Sequence, residues 1–182
     1  MDILVDTSKK NIKFGNICLK KIAIEDIKLV RRWRNSDRVR KTMVYQEIIT
    51  PEQQLNWFNN LSAESDYYFL ILFKGEPIGL VNLKNVNDSR AEAGVFIGNE
   101  SFDGKGYAFV AVFLINYFAF SVLNLDKLVA TIIDGNKPAI RFNNSLGYSL
   151  EKSENGIGKY VLLKETFNSK YTHFKSMAVR IV

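Results

Sequence analysis

The stretch Asp103-Gly104-Lys105-Gly106-Tyr107-Ala108 stands between an alternating segment, Arg90 to Ile97, and a long apolar segment, Tyr107 to Leu123. The alternation predicts a strand, and the apolar run is long enough for about four helical turns. A glycine-rich turn that opens a helix leaves backbone N–H groups unpaired at the positive end of the helix dipole, where phosphate binds readily. The strand–turn–helix order therefore predicts a site for a phosphate-bearing ligand.

Size and composition limit the classes of protein to consider. A chain of 182 residues with 47% hydrophobic residues predicts one folded domain spanning 1–182, with a core at about 17–164 and a tail, 165–182, of uncertain structure. The net charge of +6 fits an anionic ligand such as a nucleotide. It would also fit nucleic acid, but the basic residues form no recognisable nucleic-acid-binding motif, so none is expected.

Cys18 and His173 are the only residues of their types. Disulfides within the chain, cysteine-rich zinc sites and multi-histidine metal sites are therefore excluded, and no metal is expected. The N-terminus lacks the basic and apolar regions of a secretory signal. The apolar run from Tyr107 is of marginal length for a membrane span and is interrupted by Asn116 and Asn124. We expect no membrane association and a cytoplasmic location.

Apolar periodicity and turn residues predict the order of elements. Strands are expected at 17–22, 67–73, 78–84, 90–97, 126–133 and 159–164, with a further strand that begins at 148. Helices are expected at 23–34, 107–123 and 138–146, with a short helical segment that ends at 40 and a helix that begins at about 50. Thr50-Pro51-Glu52-Gln53 has the pattern of a capping box. The layout predicts an α+β fold, with one parallel crossover in a mostly antiparallel sheet.

This order, with two motifs, resembles the GNAT superfamily of N-acetyltransferases over about 17–164. The first motif is the glycine turn, which is similar to the family's pyrophosphate loop, Gln/Arg-x-x-Gly-x-Gly/Ala. The second is the segment from Asn136 to Tyr148, similar to Asn-x-x-Ala-x-x-x-Tyr-x-x-x-Gly-Phe. The resemblance implies the GNAT fold, a twisted, mostly antiparallel sheet flanked by helices. It also implies acetyl-coenzyme A as co-substrate and direct transfer to an amine in a ternary complex.

The resemblance assigns the cofactor site. Backbone amides of the loop and the edge of the strand at 90–97 would bind the diphosphate and the pantetheine arm, and Asn136 would either contact that arm or cap its helix. The predicted cofactor-binding residues are Val95, Phe96, Ile97, Gly104, Lys105, Gly106, Tyr107, Ala108, Asn136 and Asn143. Gly94 is expected to mark a bulge or a splay in the strand.

Two positions depart from the family's pattern. Asp103 replaces the usual Gln or Arg of the loop. Asn143 stands where many relatives have the tyrosine that protonates the departing thiolate. Asn143 cannot act as an acid, although its amide could hydrogen-bond the sulfur. Either another acid serves, with Tyr148 the candidate, or the thiolate leaves without one.

Candidate residues for proton transfer and acceptor binding follow. Glu92 is the predicted base, acting through water on an amine that arrives as ammonium; the alternative is a surface carboxylate paired with Arg90. Arg34 and Asn35 are the leading acceptor-site residues, because an arginine can grip a diphosphate with two hydrogen bonds. Tyr45 and Lys84 are added from position alone.

The N-terminal third narrows the resemblance. Residues 30–40, Met43 and 49–57 look like the branch that acetylates UDP-linked 4-amino-4,6-dideoxy sugars in pseudaminic acid synthesis. The Trp33-Arg34-Asn35 core is also similar to enzymes that acetylate the N-termini of ribosomal proteins. A nucleotide-linked amino sugar is therefore the first expectation for the acceptor, a protein N-terminus the second, and a non-catalytic acyl-coenzyme A-binding module the third. Because many relatives pair through sheet edges, a homodimer is compatible with the resemblance.

Overall fold

The computed structural model describes residues 1–6 and 11–182. The strands in these ranges are β1 (Leu4–Asp6), β2 (Asn11–Phe14), β3 (Ile17–Lys21), β4 (Tyr67–Phe73), β5 (Glu76–Lys84), β6 (Arg90–Ile97), β7 (Lys127–Ile133), β8 (Ser149–Glu154) and β9 (Ile157–Leu163). The helices are α1 (Ile27–Asn35), α2 (Asp37–Arg40), α3 (Pro51–Asn59), α4 (Tyr107–Tyr117), α5 (Lys137–Ser145) and α6 (Lys164–Ile181).

One sheet in the order β1-β2-β3-β4-β5-β6-β7-β9-β8 organises the described residues. Neighbouring strands pair antiparallel, except β6 and β7, which are parallel and joined through α4. This confirms the predicted α+β class with one parallel crossover. The sequence-based prediction missed β1 and β2, which have three and four residues, too few to show alternation against their background.

Helices cover the two faces of the sheet unequally. The back face packs against α4 and α6, where Phe113, Phe120 and Phe167 are almost wholly buried. The front face is covered at β4–β6 by α1 and α3, whose Trp33 and Trp57 belong to a smaller apolar cluster. Over β7, β9 and β8 no described helix covers the front face, and all six residues of the edge strand β8 are exposed. A cleft can therefore form there.

The α4 segment is apolar on all sides because it is enclosed by the sheet and α6. Every residue from Phe109 to Asn116 is buried, and the helix continues from Phe118 to Val122 in wider turns of π type. The predicted helix at 107–123 thus exists, with an irregular last part. Across the part of the chain that the structure describes, no helix is both long enough and apolar enough to cross a membrane.

The tail, whose structure the sequence left open, is the eighteen-residue helix α6. It buries only Phe167, Phe174 and Ala178. So narrow an apolar stripe explains the weak periodicity of its sequence. At its end, the Ile181 side chain lies behind the glycine turn, 3.0 Å from where a Cβ on Gly106 would stand. The tail therefore supports the loop that precedes α4.

The splay between β6 and β7 is the feature of the sheet that positions the site. Their pairing spans only three residue pairs and ends at Glu92 opposite Val129. Gly94 does mark this splay, but no bulge, because the register of β6 with β5 is continuous. A Cβ on Gly94 would stand 2.9 Å from Asn82 Oδ1, which explains the glycine.

Candidate active site

The glycine turn before α4 has the backbone that the sequence predicted. Gly104 and Gly106 have φ of +69° and +84°, in the left-handed region that favours glycine. The Val110 N–H donates to the Gly106 carbonyl at 3.3 Å, so the amides of Tyr107 to Phe109 precede the first intrahelical bond and have no acceptor inside the helix. A Cβ on Gly104 would meet no atom of the described residues within 4 Å. These open amides fit a diphosphate.

The open edge of β6 lies next to this turn. The Gly98 N–H donates to Ile78 of β5, so by antiparallel alternation the main-chain groups of Ala93, Val95 and Ile97 face the splay. Of the strand residues predicted to bind the cofactor, Val95 lies on the open edge, whereas the main chain of Phe96 faces β5. The Ile97 carbonyl accepts a hydrogen bond from Arg38. Ala93, which the prediction omitted, has the same open edge as Val95.

Arg38 was missed by sequence reasoning. It lies in α2, and its Nη1 donates to Asp103 Oδ2 at 2.8 Å. Its Nη2 donates to the carbonyls of Ile97 and Gly98 at 2.8 and 3.0 Å. The acidic residue at Asp103 could have prompted a search for a cation. The partner stands 65 residues away, however, beyond the reach of any local pattern.

Asn136 and Asn143 have their side chains engaged by main-chain groups. Asn136 Oδ1 accepts from the Ala139 N–H at 3.2 Å, the helix-capping alternative, and its Nδ2 donates to Thr42 O at 3.4 Å. Asn143 Nδ2 donates to Ala139 O at 2.9 Å, one turn back in α5. Contact of either side chain with the cofactor stays a prediction.

Tyr148, the candidate acid, lies inside the core. Its side chain is buried, and its hydroxyl donates to Asn116 Oδ1 at 3.4 Å. Burial raises the pKa of Tyr148 well above the ordinary value, with the hydrogen bond to Asn116 as a smaller opposing effect. A buried phenol with a raised pKa is a poor proton donor to a thiolate at the splay, so we do not retain Tyr148 in the mechanism.

Glu92 faces the front of the sheet at the last residue pair before the splay. Its Oε2 lies 3.1 Å from Lys84 Nζ, and its Oε1 accepts from Asn85 Nδ2 at 3.0 Å. The partner is therefore Lys84, not Arg90 as the alternative supposed. Burial acts to raise the pKa of Glu92, but Lys84 and Asn85 outweigh it, and the net pKa is lowered. Glu92 is thus an ionised carboxylate at neutral pH.

A cleft of about 270 Å³ opens beside Glu92 on the uncovered front face. Its other charged lining residues are Arg90, Glu151, Lys152 and Lys159. Three cations against two carboxylates make the lining basic, which suits an anionic acceptor. Lys159 lines the same cleft as Glu92, and its charge also helps to lower the pKa of Glu92.

A polar row runs across the front face. Tyr68, Asn82 and Gly94 are in register on β4, β5 and β6. The pKa of Tyr68 is raised to about 12, chiefly by burial and then by Asp66, while Glu92 raises it and Arg34 lowers it. Both charges are therefore near this phenol. Sequence reasoning missed Tyr68 and Asn82, although each is polar at a position of β4 or β5 that alternation assigns to the front face.

Arg34 lies near this row with one donor unused. Its Nη1 is buried and has no hydrogen-bond partner in the part of the chain that the structure describes, and its Nη2 donates to Tyr45 O at 3.5 Å. Burial lowers the pKa of Arg34, but the guanidinium stays charged at any relevant pH. A half-buried guanidinium with an unpaired N–H group is suited to an anion.

The remaining acceptor candidates differ in placement. Asn35 Nδ2 donates to Ile49 O and its Oδ1 accepts from Ile49 N–H, both at 2.9 Å. Its amide therefore fastens the loop 41–50 to α1. Tyr45 lies exposed in that loop, and Lys84 holds Glu92. The structure thus brings Arg34, Lys84 and Glu92 to one face, while Asn35 shapes the loop beside them. Among residues 1–6 and 11–182, no cluster of three or more metal-ligating side chains occurs.

The comparison with known families agrees with this geometry. The family model described as acetyltransferase (GNAT) domain matches residues 16–149. The chain belongs to the GNAT acetyltransferase family. The resemblance drawn from the two motifs is thereby confirmed, and the protein is an acetyl-coenzyme A-dependent N-acetyltransferase.

Three relatives show the range within this GNAT family. Acetyltransferase PseH of Campylobacter jejuni is 26% identical over 143 residues, which is 78% of this chain and 88% of PseH. Spermidine N(1)-acetyltransferase of Escherichia coli K12 is 30% identical over 140 residues, 75% of this chain and 74% of that enzyme. The structure of FdhC, a nucleotide-linked sugar GNAT, superposes with a TM-score of 0.77 at 21% identity, covering 90% of this chain and 96% of FdhC.

A crystal structure of the Campylobacter jejuni PseH is a complex with acetyl coenzyme A. It has a TM-score of 0.64 to this GNAT protein at 20% identity and covers 81% of the chain and 98% of PseH. Acetyl-coenzyme A is the co-substrate here as well. The open amides before α4 and the open β6 edge fit its diphosphate and extended pantetheine arm.

Proposed function

We propose that this GNAT protein acetylates the amine of a nucleotide-linked amino sugar, such as a UDP-linked 4-amino-4,6-dideoxy sugar. The observation that carries the proposal is the half-buried guanidinium of Arg34, whose buried Nη1 has no hydrogen-bond partner among the described residues. An oxygen of the sugar nucleotide's diphosphate can accept a hydrogen bond from this N–H group. The sugar amine would then be directed toward Glu92.

The charges around the cleft favour this acceptor over a polyamine. Of the charged residues that line it, Glu92 is paired with Lys84 and Lys152 with Glu154, each at 3.1 Å, which leaves Arg90 and Lys159 against Glu151. A polycation such as spermidine would need more free carboxylates than this cleft offers. FdhC is described as a nucleotide-linked sugar GNAT, which also supports the proposal.

The chain's own residues divide the chemistry between them. Bound acetyl-coenzyme A supplies the acetyl thioester. The amides of Tyr107 to Phe109 hold the diphosphate, and the open edge at Ala93 and Val95 orients the arm beside it. Glu92, kept ionised by Lys84, accepts a proton from the acceptor ammonium through water. The free amine attacks the thioester carbonyl, the C–S bond breaks, and the second amine proton passes by way of water to the departing thiolate. Holding both substrates in one cleft lowers the entropy cost of this direct transfer.

A protein N-terminus receives less support. Trp33 of the Trp-Arg-Asn core is buried in the front apolar cluster, and Asn35 fastens the loop 41–50. Two of the three motif residues thus have structural roles that do not depend on which acceptor is bound.

We further propose a cytoplasmic location, where acetyl-coenzyme A and sugar nucleotides are both available. Association as a homodimer stays a prediction.

The test is thiol release from acetyl-coenzyme A with three acceptor panels: UDP- and dTDP-linked amino sugars, spermidine and spermine, and N-terminal peptides. We expect release with an amino sugar, with the product confirmed by mass. Arg34→Gln should raise KM for that sugar by about tenfold or more. Arg34→Lys should raise it by less, since lysine keeps the positive charge and loses only the forked hydrogen bonding. Turnover with polyamines or peptides alone would refute the sugar proposal. Release with none of the panels, with coenzyme A still bound, would also refute the sugar proposal and would place the acceptor outside these three classes.

A further inference from the structure

Arg38 connects the acceptor-side helices to the glycine turn. Its two branches are used differently, since Nη1 meets Asp103 at 2.8 Å and Nη2 meets the carbonyls of Ile97 and Gly98 at 2.8 and 3.0 Å. One guanidinium therefore joins the end of β6 to the residue that opens the turn. Nothing in the proposed transfer reaction uses it.

Asp103 poses an electrostatic problem at this position. It directly precedes Gly104, and its side chain is 52% exposed. A carboxylate there stands beside amides suited to an anion, and two nearby anions repel each other with only partial screening by salt. A family that usually places Gln or Arg at this position has no such problem. The present chain contains both the acid and, from α2, a cation against it.

We propose that Arg38 is a positioning residue for acetyl-coenzyme A. It neutralises Asp103 and fixes the turn, so that the amides before α4 can accept the diphosphate. The forked guanidinium is needed because its two branches face different acceptors, an arrangement that a lysine cannot reproduce. This inference rests on the proposed placement of the diphosphate at residues 104–108.

The experiment is calorimetric titration of coenzyme A into four variants: Arg38→Gln, Asp103→Asn, the double variant, and Lys41→Gln. Lys41→Gln is the matched control, because it also removes one positive charge at the end of α2, but from a lysine that pairs with Asp37. We expect Arg38→Gln to raise Kd about five- to tenfold, with Asp103→Asn and Lys41→Gln each within about twofold of wild type. In the Asp103→Asn background, the effect of Arg38→Gln should fall by more than half.

An equal effect of Arg38→Gln in both backgrounds would overturn the proposal, because Asp103 would then play no part. The proposal would also be overturned if Arg38→Gln raised KM for acetyl-pantetheine, a thioester without the diphosphate, as much as it raised KM for acetyl-coenzyme A. Arg38 would then support the structure of the site in general. If Arg38→Gln does not fold, Arg38→Lys is titrated instead: it keeps the charge and removes the fork, so Kd should still rise, and an unchanged Kd would overturn the proposal. The loop placement is tested separately by Gly104→Asp against Gly104→Asn. If only that pair differs in Kd, the Arg38 proposal alone fails.

Discussion

At the scale of single residues, the site depends on how each side chain's partners set its charge. Lys84 and Asn85 hold Glu92 as a carboxylate, whereas burial against Asn116 keeps Tyr148 a neutral phenol. Both residues were candidates from the sequence for proton transfer. Their environments give them different roles: Glu92 is available to accept a proton, whereas Tyr148 is enclosed in the core.

Replacement of Glu92 tests the proton acceptor. Because the Lys84 and Asn85 hydrogen bonds lower its pKa, Glu92 stays ionised across the neutral and alkaline range, and the acid limb of the rate profile reflects the acceptor ammonium. Glu92→Gln should reduce kcat/KM by about a hundredfold near pH 6.5 and by much less near pH 9, where the amine loses its proton unaided. Steady-state rates from pH 6 to 9.5 measure this. A constant ratio of variant to wild type would exclude Glu92 as the acceptor.

Gly104 allows a matched test of the diphosphate loop. Asp and Asn have the same size and both tolerate the left-handed backbone, and a Cβ here meets nothing within 4 Å. Gly104→Asp should raise Kd for coenzyme A at least about tenfold relative to Gly104→Asn, since only the former adds a negative charge. Equal affinities by calorimetry would place the diphosphate elsewhere.

At the scale of elements, α6 completes the back layer of the fold. Phe167 packs against Phe113 and Phe120, with ring centroids 6.1 and 5.3 Å away, and is 1% exposed. Farther along, Ile181 lies behind Gly106. This helix lies beyond residues 16–149, the part that the family model matches, yet it contacts both the core and the turn before α4. We therefore expect its packing to matter for stability.

Phe167→Ala should lower the free energy of unfolding by about 3–5 kcal/mol, because the cavity would be enclosed by other aromatic rings. Ser176→Ala, at an exposed position of the same helix, should change it by less than about 0.5 kcal/mol. Urea unfolding followed by circular dichroism measures both. If Phe167→Ala proved as stable as Ser176→Ala, α6 would not pack on the sheet as described.

At the scale of the whole molecule, charge distinguishes the acceptors that the relatives suggest. The chain has a net charge of +6, and the cleft beside Glu92 has a basic lining. An anionic sugar nucleotide is attracted to such a surface and a polyamine is repelled, and both effects weaken as salt rises.

The KM for a nucleotide-linked amino sugar should therefore rise several-fold between about 50 and 300 mM salt, over which the screening length roughly halves. For a polyamine it should fall or stay constant. Initial rates at fixed, saturating acetyl-coenzyme A measure this. A second series with the uncharged acetyl-pantetheine as donor shows that the salt effect belongs to the acceptor. A KM that falls with salt for the sugar would contradict the proposed acceptor site.

Local sequence was enough for the glycine turn, most strands and the capping of α3. Thr50 and Gln53 form the reciprocal hydrogen bonds that their spacing predicts, at 2.8 and 3.1 Å. Each of these features depends on residues within a few positions of one another. The sequence was not enough for the partner of Glu92, because Lys84 is opposite it only through the register of β5 and β6.

What the sequence determined by itself was the family, the fold class and the loop suited to a diphosphate, because turns, caps and apolar periods are set by near neighbours. The tertiary structure alone decided that Arg34 keeps an unpaired donor, that Arg38 faces Asp103 and that Tyr148 is enclosed. Such features depend on burial and on contacts between residues far apart in the chain. No local pattern encodes them, because the free energy of a charge depends on everything packed around it.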